Sequence, residues 1–445
     1  MLAVEDLERA GYRTVVLATP DSQGRPVGRQ LPVRRFLDDP LAGVEVSSYV
    51  LVYDLAGIPL QDSPFAGAHT GYHDVRLSPD LGTLRPYPGV RDTAICIADV
   101  VDHDGEAVPF APRTVLSRQV EAARQTGFAI RLATELEFYL FRDDPSKARS
   151  LGFQGLEPTT ATRSTYGTVA AIAQQPFLAA VYQSMEAAGI SVGSAQTEAG
   201  RGQWEVNFEH RDPLQAADHH LVYKACVKEL ARQAGLTVTF MARPVADDLG
   251  SSCHLHFSLT SDGEPVFPLE PGSNSLSLTA RHAIGGLLEH LPATAYFFAP
   301  FANSYKRHAP GFAAGSVVAW GQDNRSVAIR VIGQGETLRV EHRFPGADAN
   351  PYLAAAAIIA AGLEGIASRR DPGPPVEGNA DAQHDLLRPP ASLGEALAAL
   401  ESTGFVKSAF GSAVATHFAA HAKAEREATL TEVTDWELRR GFETV

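Results

Sequence analysis

Acidic side chains recur in this chain at two-residue spacing among apolar neighbours. In ATELEFYLF, residues 133–141, Glu135 and Glu137 share one strand face with Ala133 and Tyr139, while Leu136, Phe138 and Leu140 fill the other. Carboxylates placed this way repel one another unless a cation sits between or beyond them. A salt-bridge network with arginines is the plainer explanation for this pair alone. Other segments extend the pattern. In RGQWEVNF, Glu205 alternates with Trp204, Val206 and Phe208, and Glu198 enters from the preceding loop. In SSCHLHFSL, His254, His256 and Ser258 face one way while Cys253, Leu255, Phe257 and Leu259 face the other. In LRVEHRF, Arg339, Glu341 and Arg343 share a face. Glu135, Glu137, Glu198, Glu205, Glu341 and at least one imidazole can thus converge from four strands and a loop. Oxygen-dominated sets of this kind suit Mg²⁺ or Mn²⁺, whereas a structural zinc site wants thiolates or several histidines. His219, His220, His282, His290 and His342 are read as satisfied core histidines.

Arginines accompany the carboxylates. Arg307 follows Lys306 in NSYKR, and Arg325 and Arg330 lie in DNRSVAIR. Their guanidinium forks match carboxylate and phosphate geometry, and their place on otherwise apolar strands argues against surface decoration. The chain has no GxxxxGK[ST], so phosphates are not held by a P-loop.

The elements that must position these groups are legible in outline. From Tyr12 to Val101 short strands alternate with turns (TVVLATP, RPVGRQLPV, VSSYVLVYDLAG, TAICIADVVDHDG), which predicts a small mixed sheet with few helices. A helix from Pro112 to Thr126 begins with proline and ends at Gly127. Beyond it strands of clean alternation, antiparallel in character, mix with helices. The strand carrying Glu341 runs straight into FPGADANP and an apolar helix, which makes it central rather than an edge. Segments 143–163, polar and aperiodic, and 371–392, rich in Pro and Gly, read as loops, the first a candidate lid.

The 445 residues suggest two domains, and 38 basic against 52 acidic residues, a net charge of −14, exclude the electrostatic footprint of a nucleic-acid or anionic-membrane binder. Cys96, Cys226 and Cys253 form no CxxC pair, so neither a disulfide framework nor a zinc ribbon is indicated. The opening MLAVEDLERAGYR lacks the features of a signal peptide, and the most apolar helix, from Tyr352 to Ala367, is shorter than a membrane span and carries Glu364. The chain reads as cytoplasmic.

Taken together, TELEFYLF, EAGRGQWEVNF, GSSCHLHFSL, NSYKRHAPGF and RVEHRFPGADANPYLA resemble, in order, the active-site segments of the glutamine synthetase superfamily, in particular its glutamate–amine ligase branch. The resemblance covers the chain from about Tyr72 to its end. It implies an α+β fold: a small β-grasp-like domain, 1–105, then a large catalytic domain, 106–445, with an antiparallel sheet or half-barrel surrounded by helices. It implies that Glu137, Glu198 and Glu205 bind the metal beside glutamate, and that Glu135, His254 and Glu341 bind the metal bridging the nucleotide phosphates, so two or more Mg²⁺ (or Mn²⁺). Arg307 and Arg343 then hold the carboxylates of glutamate near Gly250, Arg325, Arg330 and Arg339 meet the phosphates of ATP, and His256 and Ser258 lie near the nucleotide. The reaction implied is attack of the glutamate side chain on the γ-phosphate, then displacement of phosphate by an amine. The assembly implied is a homododecamer of two stacked hexameric rings, in which an aspartate, here matched to Asp54, reaches a neighbour's site.

The chain departs from ammonia-using members at the flap after NSYKR. It reads PGFAAG, and Ala313 stands where those members carry a glutamate. Leu249 replaces an asparagine beside Gly250, and no adenylylation tyrosine motif is present. Three readings follow: a γ-glutamylamide ligase using a polyamine, alkylamine or aromatic amine; a glutamine synthetase, if Asp54 alone organises ammonium; and a non-catalytic sensor, against which the full metal and arginine set argues.

Overall fold

A computed structural model describes residues 2–60, 63–270, 275–309 and 314–444. The first sheet contains β1 (Thr14–Pro20), β2 (Pro26–Pro32), β3 (Val44–Ser47), β4 (Asp74–Pro79), β5 (Arg85–Pro86) and β6 (Thr93–Val101), in the order β2-β1-β6-β4-β3 with β5 against β6. It is mixed, since β1 runs parallel to β6 and antiparallel to β2. The almost unbroken apolar run of β6 is buried along nearly its whole length, which places it inside the sheet, whereas β2, with Arg29 and Gln30, is an exposed edge. The predicted long strand over VSSYVLVYDLAG is cut short after β3. The Ser47 hydroxyl accepts from Tyr49 N–H and turns the chain into a single 3₁₀ turn, Ser48–Leu51, a local bond that competes with the ladder.

The second sheet is built from β7 (Ala129–Phe141), β8 (Val192–Thr197), β9 (Gln203–Phe208), β10 (Thr237–Thr239), β11 (Cys253–Ser261), β12 (Glu264–Pro265), β13 (Trp320–Gln322), β14 (Ile329–Ile332) and β15 (Arg339–His342). Its order is β13-β14-β15-β11-β7-β9-β8, with β10 on β7 and β12 on β11. Neighbours are antiparallel apart from β13 and β14. β15 lies inside the sheet, flanked by β11 and β14.

Helices cover this sheet. Pro351–Ala367, capped by the Asn350 side chain on Tyr352 N–H, is buried over most of its length, as its alanines and isoleucines require. It packs on Leu278–Phe298 at a backbone-to-backbone crossing: a Cβ added at Gly286 would stand 2.1 Å from Ala361 O and 2.7 Å from Gly365 Cα. Segment 143–163 is not wholly irregular. Pro145–Ser150 forms a short helix, capped by Asp144 on Ser146 and Lys147 N–H, too short to leave a period in the sequence. Segment 371–392 holds only the 3₁₀ turn Ala380–Ala382. No helix among the described residues is long and apolar enough to cross a membrane.

One buried arginine ties the two sheets together. Arg113, on the helix Pro112–Gln125, donates to Asp80 at 2.6 Å and Asp99 at 2.7 Å beside the first sheet, and to Asp218 at 3.2 Å on the helix Pro213–Gln233. Asp218 also accepts from Tyr352 Oη at 2.6 Å. Burial opposes the charge on Arg113, but Asp218 and Asp99 reverse that and hold its pKa above the ordinary value. Arg113→Met would strand the buried carboxylate of Asp218, at a cost of about 3–5 kcal/mol. Urea unfolding is expected to show that loss, and the double variant Arg113→Met/Asp218→Asn to recover part of it.

Candidate active site

The registers of β7, β9, β11, β14 and β15 bring the acidic and basic side chains together. Glu137 on β7 lies directly opposite Glu205 on β9, Glu135 opposite His254 on β11, and Glu341 on β15 opposite both His256 and Arg330. Side chains directly opposed across antiparallel strands come within about 5 Å at Cβ, so the sheet enforces proximity that the charges resist. Glu198 stands in the turn between β8 and β9, its N–H bonded to Gln203 O at 2.9 Å. Two triads have donor atoms mutually within 4.8 Å: Glu135, His256 and Glu341, and Glu135, Glu205 and His254. Glu135 belongs to both. His254 Nδ1 also lies 3.4 Å from Glu341 and 3.8 Å from Glu135, buried and without a hydrogen-bond partner. An orphaned imidazole nitrogen among carboxylates is the donor set a divalent cation would complete.

Glu137 is held differently. Its oxygens accept from Ser252 N–H at 3.0 Å, from the Ser252 hydroxyl, and from Gln203 Nε2 at 2.7 Å. Burial, then Glu198, push its carboxyl up to about 7, and burial, then Glu135, Glu137 and Glu198, push Glu205 up to about 10. Glu198 is raised too, first by burial. Glu341 is the opposite case. It is fully buried, which would raise it, yet Arg343 and then His254 hold it below the usual range, and Arg330 Nη1 bonds its other oxygen at 2.9 Å. In Glu135 the imidazoles of His254 and His256 likewise outweigh burial.

Arg307 and Arg343 are both buried. Arg307 donates to the carbonyls of Phe344 and Arg343, and burial lowers its pKa to about 10. In each arginine the Nε–H has no partner among the described residues, leaving two buried donors for a ligand. Gly250 makes room for this: a Cβ there would come 2.3 Å from Arg307 Cγ. Next to the carboxylates opens a cleft of about 540 Å³ lined by Glu135, His256, Ser258, Arg325, Arg330 and Arg339. Arg339 Nε lies 3.2 Å from His256 Nδ1, whose Nε2 is 2.7 Å from Glu135. Asp54 is not part of this assembly. It caps its own turn, accepting from Ile58 N–H at 2.8 Å, and lies near His421 and Glu425 of the helix Ser412–Thr431. Ala313 lies outside the described residues.

The structure adds groups at the site that the sequence reading did not name. Gln203 sits two residues before Glu205 on the same face, and Arg131, four before Glu135, also lines the cleft. The alternation that selected the glutamates points to both. Buried Asp248 had no such signal. It accepts from Arg163 Nε at 3.2 Å and from Arg201 N–H and Nε at 3.0 and 2.9 Å, joining three separate segments. Two core histidines are not fully satisfied as expected: His220 Nε2 and His342 Nδ1 are buried without a hydrogen-bond partner.

The raised carboxyl pKa of Glu205 makes a signed prediction. A carboxyl that keeps its proton in the fold stabilises it below the unfolded value, and that contribution is lost as pH rises through the folded value. Between pH 7 and 9.5 the buried histidines, such as His342 at about 3 and His421 at about 4, are neutral folded or unfolded. Over that window, in chelator, wild type is expected to lose stability relative to Glu205→Gln by on the order of 1–3 kcal/mol. Thermal melts across the pH series measure it.

Comparison with known proteins places this geometry. The model of the glutamine synthetase catalytic domain matches residues 109–441. Gamma-glutamylethanolamide synthetase GlnA4 of Streptomyces coelicolor is 40% identical over 433 residues, covering 97% of this chain and 92% of its own. A glutamate–isopropylamine ligase from a Pseudomonas species is 33% identical, covering 100% and 98%. The structures titled apo GmaS without ligand and GmaS/ADP complex each align with TM-score 0.87 over 99% of both chains, at 27% and 28% identity. The chain belongs to the glutamine synthetase family of ATP-dependent carbon–nitrogen ligases.

Proposed function

We propose that this ligase joins the γ-carboxylate of glutamate to a short aliphatic amine, through a γ-glutamyl phosphate formed from ATP. The observation that carries it is the meeting of a buried carboxylate–imidazole cluster on one sheet with two buried arginines whose Nε–H groups have no partner among the described residues. Glu135, Glu205, His254 and Glu341, with Glu137 and Glu198 beside them, would hold Mg²⁺ or Mn²⁺, which when bound neutralises phosphate charge. Arg307 and Arg343 orient glutamate, with Gly250 giving Arg307 its place. Arg325, Arg330 and Arg339 line the cleft that would receive the triphosphate, and holding it in line with the glutamate carboxylate is most of what such a transfer requires. Excluding water protects the acyl phosphate from hydrolysis.

The amine follows from the sequence of the flap and from the relatives. Ala313 removes a carboxylate that would bind ammonium and take its proton. An organic amine instead gains from burying carbon, at about 0.8 kcal/mol per CH₂, and ammonia has none to bury. The two relatives named above carry ethanolamide and isopropylamine in their names. Asp54, which caps its own turn, accepts from Arg25 through its carbonyl and lies near the helix Ser412–Thr431, would act in a neighbouring subunit's site, in a ring-shaped oligomer, a dodecamer of two stacked hexamers. The N-terminal residues 1–105 would form that reaching domain.

Steady-state ATP hydrolysis with glutamate across ammonium, ethanolamine, isopropylamine, polyamines and anilines tests the reading. A short organic amine is expected to give a kcat/KM at least about tenfold above ammonium, a gap of roughly 1.4 kcal/mol, and Ala313→Glu to narrow it. Ammonium preferred over every amine would make glutamine synthesis the better answer.

A further inference from the structure

Arg131 has no assigned part in the site. It lies on β7 in the row of side chains that continues through Ala133 and Glu135 to the buried Glu137, and it pairs across the sheet with Ser258. At about 3.3 Å per residue, its Cα stands about 13 Å along the strand from that of Glu135. Both residues line the same cleft of about 540 Å³, so Arg131 marks one end of it and the carboxylate cluster the other.

Three of the other guanidinium groups in and beside the cleft are engaged, and Arg325, which also lines it, is exposed. Arg330 pairs with Asp323 and Glu341, Arg339 donates to Thr337 O at 3.1 Å and lies against His256, and Arg211 pairs with Glu209 at 2.9 Å. Half-buried Arg131 has neither a hydrogen bond nor a carboxylate partner among the described residues. His210, in the same cleft, is held below its ordinary pKa first by burial and then by Arg131, Arg211 and Arg339. A guanidinium that lines a cleft without a carboxylate paired to it offers its flat face and its fork to a ligand.

The position along the strand decides which part of the ligand that is. With the reacting phosphate at the carboxylate end and Arg325, Arg330 and Arg339 over the phosphate chain, a residue four positions further out lies where the triphosphate gives way to ribose and base. A guanidinium plane stacks on a base and its N–H groups donate to ribose hydroxyls or ring nitrogens. We propose that Arg131 grips the nucleoside end of the nucleotide and so determines affinity for it independently of the phosphates. The proposal rests on the ligase reading above.

Calorimetric titration with ADP and, separately, with inorganic pyrophosphate, both in Mg²⁺, separates the two ends. Arg131→Ala and Arg131→Gln are used together, and each is expected to melt with wild type, since Arg131 has no partner to lose. For both, ADP affinity is expected to fall by about tenfold, the worth of a desolvated cation–π or charged contact, with pyrophosphate affinity within about twofold of wild type. ADP binding equal to wild type overturns the proposal. So does equal weakening of ADP and pyrophosphate in variants that melt normally, because Arg131 would then act only as general positive charge. A wild-type protein that binds neither ligand sinks the ligase reading itself.

Discussion

The structure depends on keeping Glu341 ionised in a place with no water. It is fully buried on an interior strand, and an isolated carboxylate there would cost several kcal/mol. Arg330 on one side and Arg343 on the other hold it. That clamp dictates its neighbours: β14 must lie next to β15 in a register that sets Arg330 opposite Glu341, and the chain must leave β15 so that Arg343 folds back on it. On the other flank no arginine among the described residues bonds the carboxylates, and Arg307 only offsets part of the rise in Glu137 from nearby. Among the described residues Glu137 and Glu205 have only amide, hydroxyl and peptide donors, and burial, then neighbouring carboxylates, makes both hold protons more tightly. One half of the site is neutralised by fixed cations and the other is left short of positive charge.

That imbalance is sustained by the packing around it. The row of glutamates stays in place because the opposite face of β7, with Leu132, Leu136 and Leu140, is locked into the core. Behind β15 the helix Pro351–Ala367 is pressed backbone to backbone against Leu278–Phe298. Tyr352 at its start joins Asp218 and thereby Arg113, so the first sheet is tied into the same frame. The strain of gathering like charges is borne by apolar burial elsewhere, an arrangement common at functional sites.

The charged cluster was legible because alternation in β7, β9, β11 and β15 sets the charged face and the apolar face apart residue by residue, while fold class and family followed from the resemblance those segments carry. What escaped notice has local causes. The six-residue helix at Pro145 is shorter than two turns, and the 3₁₀ turn after β3 hangs on one hydroxyl, Ser47. Asp248 is a lone aspartate whose partners, Arg163 and Arg201, are scattered along the chain, a relation no spacing rule can express. Gln203 and Arg131 could have been found, since they obey the alternation. An amide carries no charge to mark it, and Arg131 lies outside the recognisable motif. The orphaned nitrogens of His220 and His342 are consequences of packing, invisible without coordinates.

Asp248 bears on how the site opens. Its one carboxylate receives Arg163 from the segment after β7, Arg201 from the turn that carries Glu198, and the N–H of Leu249 next to Gly250. Tyr139 adds a bond to Leu249 O at 2.7 Å from within β7. Segments sharing a single buried acceptor do not fray one at a time, because releasing any of them leaves the charge less compensated for the rest. The three behave as one cooperative unit of local unfolding, so any thermal fluctuation large enough to free segment 143–163 also loosens the supports of Glu198 and Gly250, and the site is either wholly assembled or wholly slack.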